Sequence, residues 1–149
     1  DHNLTLRESK GELSDTEVDK VKVLMQALLN DHTLFKQWLG TTLSQPKHDM
    51  DLMPVEQPFN AAQIADAINS DDISFERLGG TRAIYQQTAD ELLVSVNGEN
   101  YSVPNSDLNA VKLLTDFTGF NAQQLKNTAP SLVFIEIFTT LINEGIWFN

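Results

Sequence analysis

The sequence predicts an α+β fold: two amphipathic helices, a proline-rich linker, and then a compact unit of one helix, about four antiparallel strands and three helices. Three observations predict it. Apolar residues recur at helical spacing before residue 45 and again after residue 105. Alternation with a period of two is confined to residues 73–103. Residues 46–58 carry three prolines, which deny both helix and central strand. With 149 residues, 41% of them hydrophobic, the chain can bury one domain, or one domain plus a smaller helical piece.

The first helix is announced by Ser14-Asp-Thr-Glu17, a capping box flanked by Leu13 and Val18 as a hydrophobic staple. Val18, Val21, Leu24, Met25, Leu28 and Leu29 form its stripe. Asp31 caps a second helix whose apolar side is Phe35, Trp38, Leu39 and Leu43. Val21, Leu24, Met25, Leu28, Phe35, Trp38 and Leu39 are more than the short helix after the linker can cover. The stripe therefore either folds back onto the sheet of Ile73–Val103 or pairs with a second copy, and self-association is the expectation.

Beyond the linker, Asn60 and Gln63 repeat the capping box, with Phe59 and Ile64 as staple and Ile64 with Ile68 as the buried side. Ile73 and Phe75 begin a strand, Gly79-Gly80 makes a reversal, and Thr81–Gln86 is expected to return as its partner. Leu92, Val94 and Val96 supply a third strand. Asn97-Gly98 is a hairpin signal, because both positions must take positive φ, and Tyr101 and Val103 close it. Ser106 starts a helix with Leu108, Val111, Leu114 and Phe117 on one side. Asn121 and Gln124 cap a shorter one. Pro130 starts the last, whose Leu132, Ile135, Phe138, Leu141 and Ile142 require burial. Gly145 ends it, and Ile146-Trp-Phe148 needs a sheet or groove to lie in. The last helices with a hairpin resemble a winged helix-turn-helix, except that the strands precede the helices. The expected organisation is a helical dimerisation segment over 1–45, a linker over 46–58 and a winged-helix-like domain over 59–149.

Ten Lys and Arg against 21 Asp and Glu give a net charge of −11, which repels phosphate backbones and anionic bilayers. From residue 104 onward, Lys112 and Lys126 face Asp107, Asp116, Glu136 and Glu144, so the terminal helix lacks the basic residues of a DNA-reading helix. No DNA and no membrane partner is expected. The absence of cysteine excludes disulfides, thiolate metal sites and Cys nucleophiles, and suits a reducing, cytoplasmic setting. No apolar run approaches the roughly 20 residues of a membrane span, and the start at Asp1 shows no signal pattern. A first residue of Asp implies a processed, truncated or engineered chain, which is compatible with a piece of something longer.

No residue emerges as catalytic, cofactor-binding or metal-binding. The three histidines, His2, His32 and His48, lack the mutual spacing of a two-His, one-carboxylate iron site. His48-Asp49-Met50-Asp51 offers a local His with two carboxylates, for which solvated loop side chains are the preferred reading. Asp71-Asp72 and Asp90-Glu91 suit turns better than paired acid/base catalysis. Gly79-Gly80 has no Lys and no following helix, so it is a sheet turn and not a phosphate loop. Arg77 and Arg82 flank that turn and can hold a partner's carboxylate, although pairing with Glu76, Glu91 or Glu99 inside the sheet is favoured.

Four segments go further: Ser44-Gln-Pro-Lys-His-Asp-Met-Asp51, Arg77-Leu-Gly-Gly-Thr-Arg82, Val96-Asn-Gly-Glu99 and Leu141-Ile-Asn-Glu-Gly-Ile-Trp-Phe148. In this order they resemble the C-terminal half of the bacterial ribosomal oxygenases. These are JmjC/cupin-type 2-oxoglutarate- and Fe(II)-dependent hydroxylases that modify an arginine of a large-subunit ribosomal protein. The resemblance is clearest from Trp38 to the end and covers about three-quarters of the chain. It implies an N-terminal double-stranded β-helix holding Fe(II) and 2-oxoglutarate, a helical homodimer segment and a winged-helix-like domain, of which this chain looks like the second and third parts. The iron ligands of the family belong to the β-helix, so no catalytic residue is carried onto this chain. The expected function is the non-catalytic portion of such a hydroxylase, with a homodimer through the N-terminal helices and a ribosomal protein as substrate of the parent. A stand-alone acidic protein-interaction module is the alternative, and a nucleic-acid-binding winged helix is weakened by the charge.

Overall fold

The computed structural model of the chain describes residues 11, 13–70 and 72–149. It divides into two compact units, one ending at Phe35 and one running from Lys36 to Asn149.

In the first unit, α1 (Asp15–Asn30) starts on the expected capping box: Ser14 Oγ accepts from the Glu17 amide, and Glu17 Oε2 accepts from the Ser14 amide at 2.9 Å. No residue of α1 is buried. Asp31 Oδ1 accepts from the Leu34 amide at 3.0 Å, which caps α2 (His32–Ser44) as the sequence predicts.

The second unit contains the rest of α2, then α3 (Ala61–Asn69), β1 (Ser74–Arg77), β2 (Ala83–Gln87), β3 (Glu91–Val96) and β4 (Glu99–Pro104). A 3₁₀ turn at Asn105–Asp107 leads into α4 (Leu108–Asp116), β5 (Gly119–Asn121), α5 (Ala122–Asn127), α6 (Leu132–Asn143) and β6 (Trp147–Phe148). Capping boxes begin α3 at Asn60 and Gln63 and α5 at Asn121 and Gln124. Ser131, and not Pro130, is the N-cap of α6. Its backbone amide donates to Asp107 Oδ1 at 2.8 Å, so Asp107 is a buried brace between α4 and α6.

The strands form two three-stranded sheets, and this corrects the expected pairing across Gly79-Gly80. β1 does not pair with β2. It lies between β5 and β6, in the order β5-β1-β6, while β2, β3 and β4 form a meander of their own. The Gly79-Gly80 turn therefore passes the chain from one sheet to the other. Register explains the choice: β1 places Phe75 opposite Phe120, both rings meet Phe138, and Phe120 and Phe138 meet Trp147, in one buried cluster. Ring centroids there lie 4.9 to 5.9 Å apart, within the range of favourable edge-on and tilted packing. The C-terminal Ile146-Trp-Phe148 finds its sheet as β6, with Trp147 fully buried opposite Arg77.

In the second sheet, Asn97 (φ +48°) and Gly98 (φ +91°) make the two-residue hairpin turn. The central strand β3 is buried on both faces from Leu92 to Val96. Leu92, Val94 and Val96 enter the core, while Ser95 faces α2. A Cβ at Gly40 would run into Ser95 Oγ, so only glycine lets the helix approach this closely. The contact is otherwise polar. Gln86 Nε2 donates to Lys36 O at 2.8 Å, Asn100 Nδ2 to Gln37 O and Thr41 Oγ1 at 3.0 and 2.9 Å, and the Gly98 amide to Ser44 Oγ at 2.9 Å.

Candidate functional site

His2 lies outside the described residues, His32 opens α2 and His48 is exposed in the linker. Among the described residues no three His, Cys, Asp or Glu side chains come together to hold a metal ion. Asp71 also lies outside the described residues. Asp90 and Glu91 sit in the β2–β3 turn, where the Thr88 amide donates to Glu91 O at 2.9 Å and the Glu91 amide to Thr88 Oγ1 at 3.1 Å.

The two arginines part company, and neither pairs with Glu76, Glu91 or Glu99. Arg77 turns inward: Nη1 donates to the carbonyls of Leu114 and Thr115 at 3.1 and 3.3 Å, and the guanidinium lies 6.0 Å over the Trp147 ring. A cation there satisfies the orphan carbonyls of the last turn of α4. Burial pushes its pKa below the ordinary arginine value. Arg82 instead opens onto a cleft, and among the described residues no carboxylate lies within ion-pair distance of it.

That cleft, of about 490 Å³, runs between the linker (Pro46–Asp51) and the Leu78–Arg82 turn. Segments some 30 residues apart thus face each other, and the hairpin turn fixes the spacing. Asn97 Oδ1 accepts from the Arg82 amide at 3.1 Å, and Asn97 Nδ2 reaches Met50 Sδ at 3.4 Å. The linker continues along a second groove of about 290 Å³ that shares Asp51 and Leu78 with the first and has Met53, Phe59 and Phe148 at its mouth. Asn143 clamps it there: its backbone carbonyl accepts from the Val55 amide at 3.0 Å, its Oδ1 from the Phe59 amide at 2.8 Å, and its Nδ2 donates to Phe59 O at 2.9 Å. Ser44, Asn97 and Asn143 position the linker, a role that the sequence did not mark, since Asn97 was legible only as a hairpin residue.

α6 buries Phe134, Phe138, Thr139, Leu141 and Ile142, and its exposed Glu136 offers a groove of DNA no donor. α1 carries two apolar faces. Val18, Val21, Met25 and Leu29 line one groove with Leu13, and Val23 and Leu24 lie on the other side. No helix among the described residues is long and apolar enough to cross a membrane.

The order of helices and short strands around the β5-β1-β6 sheet agrees with the model of the ROXA-like winged helix, which matches residues 27–148. The chain belongs to the ROXA-like winged-helix family. It is 29% identical over 148 residues to the ribosomal protein uL16 3-hydroxylase of Escherichia coli (strain K12), a match that covers 99% of this chain and 38% of that protein. The X-ray structure of E. coli ycfD superposes with a TM-score of 0.69 at 29% identity, again over 99% of this chain and 38% of that one. The E. coli ribosomal oxygenase YcfD in complex with cobalt and succinic acid gives 0.68 at 28% identity, over 99% and 39%. This ROXA-like winged helix therefore spans about two-fifths of its relatives' length, and the part it matches is their C-terminal portion.

Proposed function

We propose that this chain serves as the non-catalytic C-terminal portion of a 2-oxoglutarate- and Fe(II)-dependent ribosomal protein arginine hydroxylase in the cytoplasm. The observation that carries the reading is the match of 99% of the chain to the C-terminal portion of a uL16 3-hydroxylase. Structures of E. coli YcfD in complex with cobalt and succinic acid or 2-oxoglutarate support the co-substrate class. The described residues of this chain do not fit the iron, since no cluster of ligands forms among them, so no step of the reaction is assigned to them. Their part is structural. Residues 1–45 serve dimerisation, which the uncovered faces of α1 support; residues 46–58 link; residues 59–149 brace the catalytic domain as a winged helix.

The gene upstream of Asp1 and the activity of its whole product test this together. An in-frame β-helix carrying His-x-Asp, and 2-oxoglutarate turnover on a ribosomal protein by the whole product but not by residues 1–149, are the expected results. An initiator Met directly before Asp1 overturns the proposal and leaves the stand-alone interaction module.

A further inference from the structure

The Gly79–Arg82 turn carries donors that nothing among the described residues accepts. The Thr81 amide closes the turn on Leu78 O at 3.2 Å, but the Gly79 and Gly80 amides donate to no atom of the described residues. The Thr81 hydroxyl is buried without a partner, and the Arg82 guanidinium has no carboxylate. Four consecutive residues thus hold unspent donors, three of them lining one cleft whose other wall carries Lys47. We propose that this turn binds one carboxylate, presented by an acidic and apolar peptide segment of a protein partner.

The chemistry selects that ligand. A guanidinium fork with backbone amides beside it matches the two oxygens of a carboxylate. Asp49 and Asp51 on the facing wall balance Lys47 and Arg82, so the cleft accepts one added negative charge and repels a polyanion such as a phosphodiester chain. The groove then continues past the shared Asp51 and Leu78 to an apolar mouth, where Met53 is 83% exposed and Phe59 and Phe148 also face solvent. Residues that follow the carboxylate in an extended segment meet this apolar surface. The turn and linker are already held by Asn97, Ser44 and Asn143, so the site needs little ordering on binding. The inference does not depend on the hydroxylase reading.

Titration of the ¹⁵N-labelled chain with N-acetyl-Glu-Leu-Leu-Phe-amide and with its Gln counterpart, read at the Gly79 and Gly80 amide signals, tests it. The Glu peptide is expected to bind about tenfold more tightly than the Gln peptide, the size of one charge-assisted hydrogen bond. Arg82→Gln should erase that difference while Arg82→Lys keeps part of it, with the Trp147 indole signal unchanged as the sign of an intact core. Equal binding of the two peptides, an Arg82→Gln variant that still discriminates, or acetate alone binding as tightly as the Glu peptide each overturns the proposal. So does movement of the Gly79 and Gly80 signals in Asp49→Asn or Asp51→Asn without peptide, because an aspartate of the linker is then the occupant.

Discussion

Glu144 stands at the C-terminal end of α6, where the helix already presents its negative pole. Burial first, and then the charge of Glu99, raise its pKa above the usual carboxylate value. The same neighbourhood pushes Tyr101 up to about 12, chiefly by burial and then by the two glutamates. A raised carboxylate means that the folded state holds the proton more tightly than the unfolded chain does. The charged form therefore opposes folding, and stability falls as pH rises from the ordinary carboxylate range through the raised value. Glu144→Gln removes that opposition. The variant should be more stable at pH 7 by less than about 1 kcal/mol, since much of the side chain is in water, and the gain should vanish below about pH 4. Urea midpoints at the two pH values measure it. Tyr101 acts at the other extreme: the unfolded chain ionises near pH 10, so stability should fall between there and about pH 12. Next along the chain, Gly145 takes φ +78° and a Cβ there would lie within 3.1 Å of three backbone atoms of Met53, which is why the helix can end only on glycine beneath the linker.

At the scale of elements, α1 buries none of its residues among the described part of the chain. Val21 is 55% and Met25 45% exposed on the groove they share with Val18 and Leu29. An Asp at either position costs the chain itself little, within about 0.5 kcal/mol for a surface change, whereas in a dimer seam it buries an unpaired charge. The Val21→Asp/Met25→Asp variant should sediment as a folded monomer with its helical circular dichroism kept, against a parent that is dimeric at micromolar concentration; a monomeric parent or a dimeric variant ends the dimer reading. Three of the helices were legible in the sequence because each starts with its own local signal, Ser14 with Glu17, Asn60 with Gln63 and Asn121 with Gln124. The Asn97-Gly98 hairpin was legible for the same local reason. β5 and β6, of three and two residues, are too short to show a period, so β1 lacked visible partners and was matched to its sequence neighbour. The docking of α2 was hidden too, since Gln86, Asn100 and Ser44 make it through hydrogen bonds and Gly40 by the absence of a side chain. The cleft was half visible: its two walls were singled out separately, but the crossing of Gly79-Gly80 between sheets, which brings Arg82 to the linker, arises only from tertiary pairing.

For the molecule as a whole, charge decides what a winged helix of this kind contacts. A DNA-binding member needs Lys and Arg on its surface to displace counterions from phosphates, and affinity follows the number of such contacts. Here ten basic residues stand against 21 acidic ones, and several of the ten are occupied within the chain. Arg77 is turned onto the carbonyls of Leu114 and Thr115, and Lys36 Nζ donates to Gln87 O at 2.9 Å. α6, which the fold offers as a long helix, spends its apolar side on the core and carries Glu136 outward. Duplex DNA should therefore bind no better than non-specific contacts allow, with dissociation constants weaker than about 1 μM at physiological salt. Fluorescence anisotropy with a labelled duplex, repeated at about 50 and 200 mM salt, checks both parts of this. Weak binding with a shallow salt slope is the expected result, because few phosphates are neutralised. Submicromolar binding at about 150 mM salt, with a steep slope, would place a basic surface on this chain that neither its composition nor its described side chains provide.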